Sequence, residues 1–261
     1  MAGFPGRRER NCMRAAIPWE RLEAVLFDLD GVLTKTASLH AASWKRMFDA
    51  YLEERAGRGD AGFSPFEIPT DYRRHVDGRR RSDGVRAFLA SRGIDLPAGT
   101  PDSLPESETI TGLAKRKDLL VKAAIERGGI EVYPGTLAFV QEVRRRGLKT
   151  AVVSSSRNCD AVLAAAGIAD LFDRRVDGKV AAALALPGKP APDTFLHAAA
   201  LLRAAPARCA VVEDALVGVQ AGRAGGFGLI IGLDHEAQAA ALAAHGADLV
   251  VRDLTELLEA R

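Results

Sequence analysis

Two carboxylates, Asp28 and Asp30, lie two positions apart near the start of the sequence, with Leu29 between them. They follow the apolar run Ala24–Phe27 and precede Gly31. Such a run is typical of a buried strand, and open α/β sheets bind ligands at the carboxyl ends of their strands. Because clustered carboxylates raise each other's pKa, the pair indicates a hard divalent metal, a nucleophile beside an acid/base, or both. An Asx-type turn, in which Asp30 and Gly31 only shape the loop, would give the same pattern.

A second acidic pair, Glu213 and Asp214, follows the apolar run Ala210–Val212. At the same sheet edge, this pair could join Asp28 and the main-chain carbonyl of Asp30 as oxygen ligands of Mg²⁺, with places left for water and phosphate. An acidic pair after a strand can also be an ordinary cap that interacts with a helix dipole. Two acidic clusters at one edge favour the metal.

Ser154 and Lys189 are the other polar groups in positions suited to chemistry. Ser154 follows the apolar run 151–153, so its hydroxyl and the neighbouring amides could hold a phosphate oxygen, although serine is also a common helix N-cap. Lys189 lies between Gly188 and Pro190, in a segment too stiff to continue a helix or strand. A fixed ammonium beside a carboxylate would neutralise charge on a transferring phosphoryl group, whereas a lone loop lysine is usually only solvated.

Positioning these groups together requires a parallel sheet, and the sequence after residue 131 alternates strand-like and helical patterns. This alternation predicts an α/β fold with a Rossmann-like core, helices on both faces and right-handed crossovers. Between residues 37 and 131 the patterns are helical, which we interpret as a cap domain inserted after the first strand into a core of residues 19–36 and 132–261. The predicted core strands are 24–27, 149–153, 209–212, 228–232 and 249–251. The predicted helices are 39–52, 83–89 and 110–127 in the cap, and 136–146, 159–166, 192–203, 215–224, 236–245 and from 254 onward in the core.

Length and composition restrict the remaining possibilities. A chain of 261 residues with 48% hydrophobic and 27% charged residues is typical of a globular protein with one large domain or two unequal ones. The formal charge of +2 gives little support to nucleic-acid or membrane binding, and no apolar run approaches the ~18 residues needed to span a bilayer. We therefore expect a small-molecule ligand and a monomer or weak homo-oligomer.

Cysteine usage and the N-terminus suggest where the protein resides. Cys12, Cys159 and Cys209 are odd in number and lack CxxC spacing, which indicates a reducing compartment, the cytoplasm, and no metal-thiolate site. We expect Cys159 to pack at the start of a helix. Residues 1–18 carry an arginine cluster without a following apolar stretch, which indicates a disordered basic tail rather than a signal peptide.

In their order along the chain, the segments around Asp28, Ser154, Lys189 and Glu213 resemble the four motifs of the haloacid dehalogenase superfamily. More narrowly, they resemble its β-phosphoglucomutase-like branch, from about Arg21 to the C-terminus. This resemblance implies that Asp28 attacks phosphorus to form an aspartyl-phosphate and that Asp30 transfers a proton to or from the sugar oxygen. Mg²⁺, Lys189 and Ser154 would offset charge on the phosphoryl oxygens. The motifs read DLDG at 28–31, SSSRN at 154–158, GKPAPD at 188–193 and VVED at 211–214.

The same resemblance assigns residues near the sugar. Thr36 matches a hinge threonine, His40 a histidine that helps to position the acid/base, and Trp44 a cap residue near the sugar. Lys117 falls where the family has a sugar-contacting lysine. His40 and Trp44 are one helical turn apart, so both could instead simply pack, and Lys117 could belong to an exposed basic face.

A further set of residues matches those that bind the phosphate that is not being transferred, called the distal phosphate below. A bisphosphate intermediate needs two cationic anchors, and a fork-shaped guanidinium suits phosphate. Arg81, the member of this set that lies in the cap, is one of three consecutive arginines, most of which must be solvated. Relatives commonly have aspartate where Lys35 stands, and the insert is long between residues 55 and 109, so the sugar specificity stays open. The matched residues are Arg81, Ser156, Arg157 and Asn158.

The activity implied by the resemblance is that of a Mg²⁺-dependent β-phosphoglucomutase, which interconverts β-D-glucose 1-phosphate and glucose 6-phosphate through the 1,6-bisphosphate. The alternative is a sugar-phosphate phosphatase, in which water attacks the aspartyl-phosphate. A third hypothesis is a non-catalytic binding protein with the same fold. Two-carboxylate glycosidase chemistry fits less well because it gives no role to Lys189 or to the Glu213 and Asp214 pair. Dehalogenation fits poorly as well, since this set of residues suits a phosphate and a metal.

Overall fold

The apolar runs of the core form one parallel sheet in a computed structural model that describes residues 17–60, 62–127, 129–235 and 237–258. The strand order is β3-β2-β1-β4-β5-β6, which is the order of doubly wound Rossmann folds. In this topology the connections reverse direction beside β1, so the ligand crevice lies at the carboxyl ends of β1 and β4. The α/β prediction is confirmed. The strands are β1 (Ala24–Phe27), β2 (Lys149–Val153), β3 (Arg174–Val176), β4 (Cys209–Glu213), β5 (Leu229–Leu233) and β6 (Leu249–Val251).

Strand register brings the predicted motifs to one edge of the sheet. Phe27 at the end of β1 lies opposite Val152 of β2 and Val212 of β4. The next residue along β1 is therefore Asp28, level with the ends of both neighbouring strands. All residues of β1 and β4 are buried, as expected for central strands covered on both faces.

Helices cover both faces of the sheet, and the strand residues alternate between two hydrophobic clusters. One cluster contains Val25 and Phe27 with Phe139 of the helix Pro134–Arg145, and the other contains Leu26 with Phe195 of the helix Asp193–Leu202. This period of two is what a sheet buried on both sides requires. The helices are α1 (Ala37–Gly57), α2 (Arg81–Ser91), α3 (Ile110–Arg127), α4 (Pro134–Arg145), α5 (Cys159–Ala165), α6 (Gly178–Ala183), α7 (Asp193–Leu202), α8 (Leu216–Ala224) and α9 (Ala239–Ala244).

The cap has a hydrophobic cluster of its own. It is built by α1, α2, α3 and a π-helical segment, Ile68–Val76. Phe48 lies at its centre, with its ring centroid 4.1 Å from that of Phe88 and 5.3 Å from those of Trp44 and Phe66. The two connections between the core and the cap lie side by side, since the backbone amide of Lys35 donates to the Glu131 carbonyl at 2.8 Å. The cap residues thus form a hydrophobic cluster separate from those of the core, and the two connections to the core are adjacent. Both features support the predicted insertion of residues 37–131.

Several details differ from the sequence predictions. β3 and α6 were not predicted, and the terminal segment predicted to be helical from residue 254 is a 3₁₀ turn, Leu254–Leu257. The predicted basic tail, residues 1–18, lies outside the described residues except for its end, where Ile17 is buried in the core and so is not part of a solvated tail. Cys12 and Glu236 also lie outside the described residues. Among the described residues, no helix combines the length and apolar character needed to cross a membrane.

Candidate active site

A buried lysine links two carboxylates at the end of β1. The Lys189 ammonium contacts Asp28 Oδ1 and donates to Glu213 Oε1 at 2.5 Å and to the Val153 carbonyl at 3.2 Å. Burial alone would lower the pKa of Lys189, but the charges of Asp28 and Glu213 raise it above its ordinary value. The lysine therefore stays cationic, and it fixes one oxygen of each carboxylate.

The lysine does not balance all of the negative charge, because Asp214 joins the same cluster. One oxygen each from Asp28, Glu213 and Asp214 lie within 4.8 Å of one another. Burial raises the pKa of Asp28 to about 6 and that of Glu213 to about 7, with Lys189 opposing both shifts. Burial and neighbouring acids, Asp77 first among them, raise the pKa of Asp214 well above its usual value. A bound divalent cation such as Mg²⁺ would favour the ionised form of these hard oxygen donors, so the cluster fits such a cation.

The local sequence explains how Asp214 can approach the first motif. Gly31 has a φ of +88°, and a Cβ at this residue would lie only 1.8 Å from Asp214 Oδ2. Glycine therefore serves both the turn and the close approach. The carbonyl of Gly31 also lies 2.9 Å from His235 Nε2, and the His235 ring stacks on Tyr133 with centroids 4.4 Å apart. These supporting contacts have no signal in the sequence.

Asp30 lies outside the three-oxygen cluster and instead contacts Thr36, which precedes α1, and His40 of α1. Thr36 Oγ1 donates a short hydrogen bond to Asp30 Oδ1, and His40 Nε2 lies 3.4 Å from the same oxygen. Burial raises the pKa of Asp30, although the bond from Thr36 opposes the shift. A carboxyl group with a raised pKa can carry a proton closer to neutral pH, as a general acid/base must.

Lys117 of α3 contacts His40 on the side away from Asp30 through the other ring nitrogen. Its ammonium lies 2.7 Å from His40 Nδ1 and 4.9 Å from the centre of the Trp44 ring. Burial, Lys117 and Arg81 hold the pKa of His40 well below its usual range, so the imidazole is neutral. Because Nδ1 accepts from Lys117, we assign the proton to Nε2, which faces Asp30. The structure thus brings His40, Trp44 and Lys117 together, and Trp44 also packs in the cap cluster.

The residues matched to the distal phosphate all line one cavity, and two of them share a partner that was not predicted. Arg81 donates to Asp118 Oδ1 at 2.7 Å, and the side-chain amide of Asn158 donates to the same oxygen at 2.9 Å. Arg157 is exposed and lines the cavity. An aspartate beside basic residues on a helix is a common solvated pattern, so nothing in the sequence marked Asp118.

Three serines shape the loop after β2. Ser154 Oγ accepts from the Ser156 amide at 3.0 Å, and Ser156 Oγ accepts from the Asn158 amide at 3.1 Å. Because the Ser154 and Ser156 hydroxyls are acceptors in these bonds, each keeps its proton available for a phosphate oxygen. Ser155 Oγ donates to the Gly78 carbonyl of the cap at 2.8 Å, so the same loop also holds the cap.

One cavity of about 910 Å³ is lined by both groups of residues. Asp28 and Asp30 contribute carboxylates to its wall, and Arg81, Arg157 and Asn158 contribute hydrogen-bond donors. A volume of this order is typical of sites for small molecules. Carboxylates suited to a metal and further donors in one cavity suit a ligand with two anionic groups.

Comparisons with known proteins give consistent results. A family model described as haloacid dehalogenase-like hydrolase matches residues 22–226. The chain is 50% identical over 242 residues to the β-phosphoglucomutase of Mycobacterium tuberculosis, covering 92% of each chain. It is 32% identical over 241 residues to the Bacillus subtilis β-phosphoglucomutase, covering 90% of this chain and 92% of that one. The crystal structure of β-phosphoglucomutase from Clostridium difficile superposes with a TM-score of 0.69 at 26% identity, covering 90% and 93%.

Proposed function

Because the chain belongs to the haloacid dehalogenase superfamily, in its β-phosphoglucomutase-like family, we propose that it interconverts β-D-glucose 1-phosphate and glucose 6-phosphate through glucose 1,6-bisphosphate. It is an enzyme, and a small sugar phosphate is its substrate in this proposal. One observation carries the assignment: the cavity that Asp28 lines is also lined by Arg81, Ser156, Arg157 and Asn158, which suit a second phosphate. A monophosphate phosphatase needs only the groups around Asp28.

Asp28 is the proposed nucleophile. Lys189 holds Oδ1, which leaves Oδ2 to attack the phosphorus of the bound sugar phosphate. The bond between Oδ2 and phosphorus forms as the bond between phosphorus and the sugar oxygen breaks, and the released sugar oxygen takes a proton. The Lys189 ammonium and the Ser154 hydroxyl offset charge on the phosphoryl oxygens. Asp28, Glu213 and Asp214, with the main-chain carbonyl of Asp30, would hold Mg²⁺, which neutralises further charge on those oxygens when it is bound.

Asp30 is the proposed general acid/base. Thr36 and His40 lie at its Oδ1, so Oδ2 is the oxygen that exchanges a proton with the sugar. The neutral imidazole of His40 lies 3.4 Å from this carboxyl and adds no positive charge beside it, while Trp44 and Lys117 contact the sugar. Arg81, Ser156, Arg157 and Asn158 hold the second phosphate, and turning the bisphosphate end over would let either phosphate reach Asp28. The proposed sites for these roles are the ones that the family resemblance implies.

Closure of the cap favours the mutase over the phosphatase, which remains the second candidate. A cap that excludes water leaves the sugar hydroxyl as the acceptor for the phosphoryl group. The test is to incubate the protein with Mg²⁺, β-glucose 1-phosphate and a trace of the 1,6-bisphosphate, and to measure glucose 6-phosphate and free phosphate together. Glucose 6-phosphate with little free phosphate supports the proposal, and stoichiometric phosphate release contradicts it. α-Glucose 1-phosphate serves as the control substrate.

The location that we propose is the cytoplasm. Cys159 and Cys209 are both unpaired and buried, which supports a reducing compartment. Cys159 opens α5 as a packed residue, as its position in the sequence predicts. A monomer or a weak homo-oligomer that binds neither nucleic acid nor membrane stays a prediction.

A further inference from the structure

One carboxylate oxygen of Asp118, in the wall of the cavity, joins the cap to the core. Asp118 Oδ1 accepts from Arg81 of α2 at 2.7 Å and from Asn158, which follows β2, at 2.9 Å. The other oxygen, Oδ2, lies 3.1 Å from the Lys122 ammonium. Asp118 itself lies on α3 and lines the cavity with a side chain that is only 20% exposed.

This carboxylate is ionised at neutral pH. Burial would raise the pKa of Asp118, but the charge of Arg81 and the hydrogen bonds from Asn158 and Lys122 lower it below the usual value. Charged guanidinium and amide donors bind carboxylate and phosphate oxygens in the same way. The donors assigned to the distal phosphate therefore already bind an anion that belongs to the protein.

We propose that Asp118 is a specificity-determining residue that competes with the distal phosphate for Arg81 and Asn158. This inference rests on the proposed function, which assigns those two residues to phosphate binding. A bound phosphate has to take at least one donor from Asp118 and has to lie beside its negative charge.

The competition discriminates between ligands. A sugar phosphate that is also held near Asp28 has a high effective concentration at Arg81 and Asn158 and can displace the carboxylate. Free inorganic phosphate has no second anchor, so Asp118 weakens its binding selectively. The result is a cavity that free phosphate does not block.

A double-mutant cycle tests the competition. The affinity of inorganic phosphate is measured by calorimetry for the wild type, Asp118→Asn, Arg81→Ala and the double variant. We expect Asp118→Asn to bind phosphate roughly three- to tenfold more tightly, because a partly exposed ion pair that competes is removed. In the Arg81→Ala background the same change should alter the affinity by less than about twofold. Phosphate that binds near Asp28 contributes equally to all four measurements.

Asp71→Asn is the matched control. Asp71 Oδ2 accepts from Arg92 at 2.8 Å, a half-buried pair away from the cavity, so phosphate affinity should not change. An unchanged or weaker phosphate affinity in Asp118→Asn would show that Asp118 only supports Arg81. A gain in affinity that persists in the Arg81→Ala background would show a general charge effect. Either result overturns the inference. Asp118→Ala replaces Asp118→Asn in the cycle if the latter does not fold.

The cycle is independent of turnover. A wild type that fails to convert β-glucose 1-phosphate while the cycle gives the expected coupling would contradict the proposed function and leave the competition in place. Normal conversion without coupling would overturn the competition alone.

Discussion

At the scale of single residues, the site depends on one buried cation between acids. The Lys189 side chain is 1% exposed, as is that of Glu213, and that of Asp28 is 10% exposed. Such a lysine is expensive to desolvate, and its pKa is raised because both carboxylates neutralise it. Removing it leaves the carboxylates facing each other without compensation.

Lys189→Met should therefore abolish turnover and also destabilise the protein. We expect the free energy of unfolding to fall by about 3 kcal/mol, as is usual when one partner of a buried ion pair is removed. The loss should be smaller at pH 5 than at pH 8, since Asp28 and Glu213 can be protonated there. Urea unfolding at both pH values measures this.

The control for that variant is Lys179→Met. The Lys179 ammonium pairs with Asp160 at 3.3 Å, and its side chain is 56% exposed, so its loss should change stability by less than 1 kcal/mol. Equal losses in the two variants would contradict the role assigned to Lys189.

At the scale of elements, the position of the cap depends on the loop between the π-helical segment and α2. Gly78 has a φ of +65°, and its carbonyl accepts from Ser155 Oγ. A Cβ at residue 78 would lie 2.7 Å from Val217 Cγ2 and 2.9 Å from Ala215 Cβ, at the start of α8. The cap backbone therefore approaches the core more closely than any side chain would allow.

Gly78→Ala should open this contact. Gly93 offers a matched control, since its φ is +67° but a Cβ there would meet nothing within 4 Å. Both alanines would incur the left-handed backbone penalty of about 1–2 kcal/mol, which thermal unfolding measures. Only Gly78→Ala should also lower kcat/KM, by roughly tenfold or more. Equal kcat/KM in the two variants would argue against close cap contact as a requirement for catalysis.

The sequence predicts most elements because their patterns are strong. The strands β1, β2, β4, β5 and β6 are apolar runs of a sheet buried on both faces. β3 carries two exposed arginines and buries only Val176, because it lies at the edge of the sheet, so its apolar signal is too short to detect. α6 has only six residues, so its helical pattern is also too short to detect. The 3₁₀ turn Leu254–Leu257 has a capping box, a signal that a longer helix shares.

The candidate site was predictable where it follows strands. Asp28, Ser154 and Glu213 each stand directly after or at the end of an apolar run, which is a local pattern. Asp118 has no local signal, since its role arises only when α3 packs close to Asn158, 40 residues away in sequence. Roles that depend on such packing cannot be derived from spacing along the chain.

At the scale of the whole molecule, charge makes stability depend on pH and on metal. The pKa values of Asp28 and Glu213 are raised from 3.8 and 4.5 to about 6 and about 7. These two carboxyl groups thus bind more protons in the folded protein without metal than in the unfolded chain between about pH 4 and pH 7, and their contribution to the free energy of unfolding falls as the pH rises through this window.

Mg²⁺ should offset this loss. The ion requires ionised carboxylates, so its affinity increases as the pH rises through the same window. We expect the difference in Tm between samples with Mg²⁺ and samples with EDTA to be small at pH 5 and to grow by several degrees at pH 8. A difference that stays constant or shrinks with pH would contradict the assignment of the metal to Asp28, Glu213 and Asp214.

The central claim is that Asp28 carries the phosphoryl group during turnover. The most direct measurement is acid quenching of the protein with Mg²⁺ and labelled glucose 1,6-bisphosphate, followed by mass spectrometry of the peptides. We predict one phosphoryl group on the peptide that contains Asp28, and none in Asp28→Asn, which should also lose turnover. Turnover by the wild type without label on that peptide, or with label on another residue, would contradict the account.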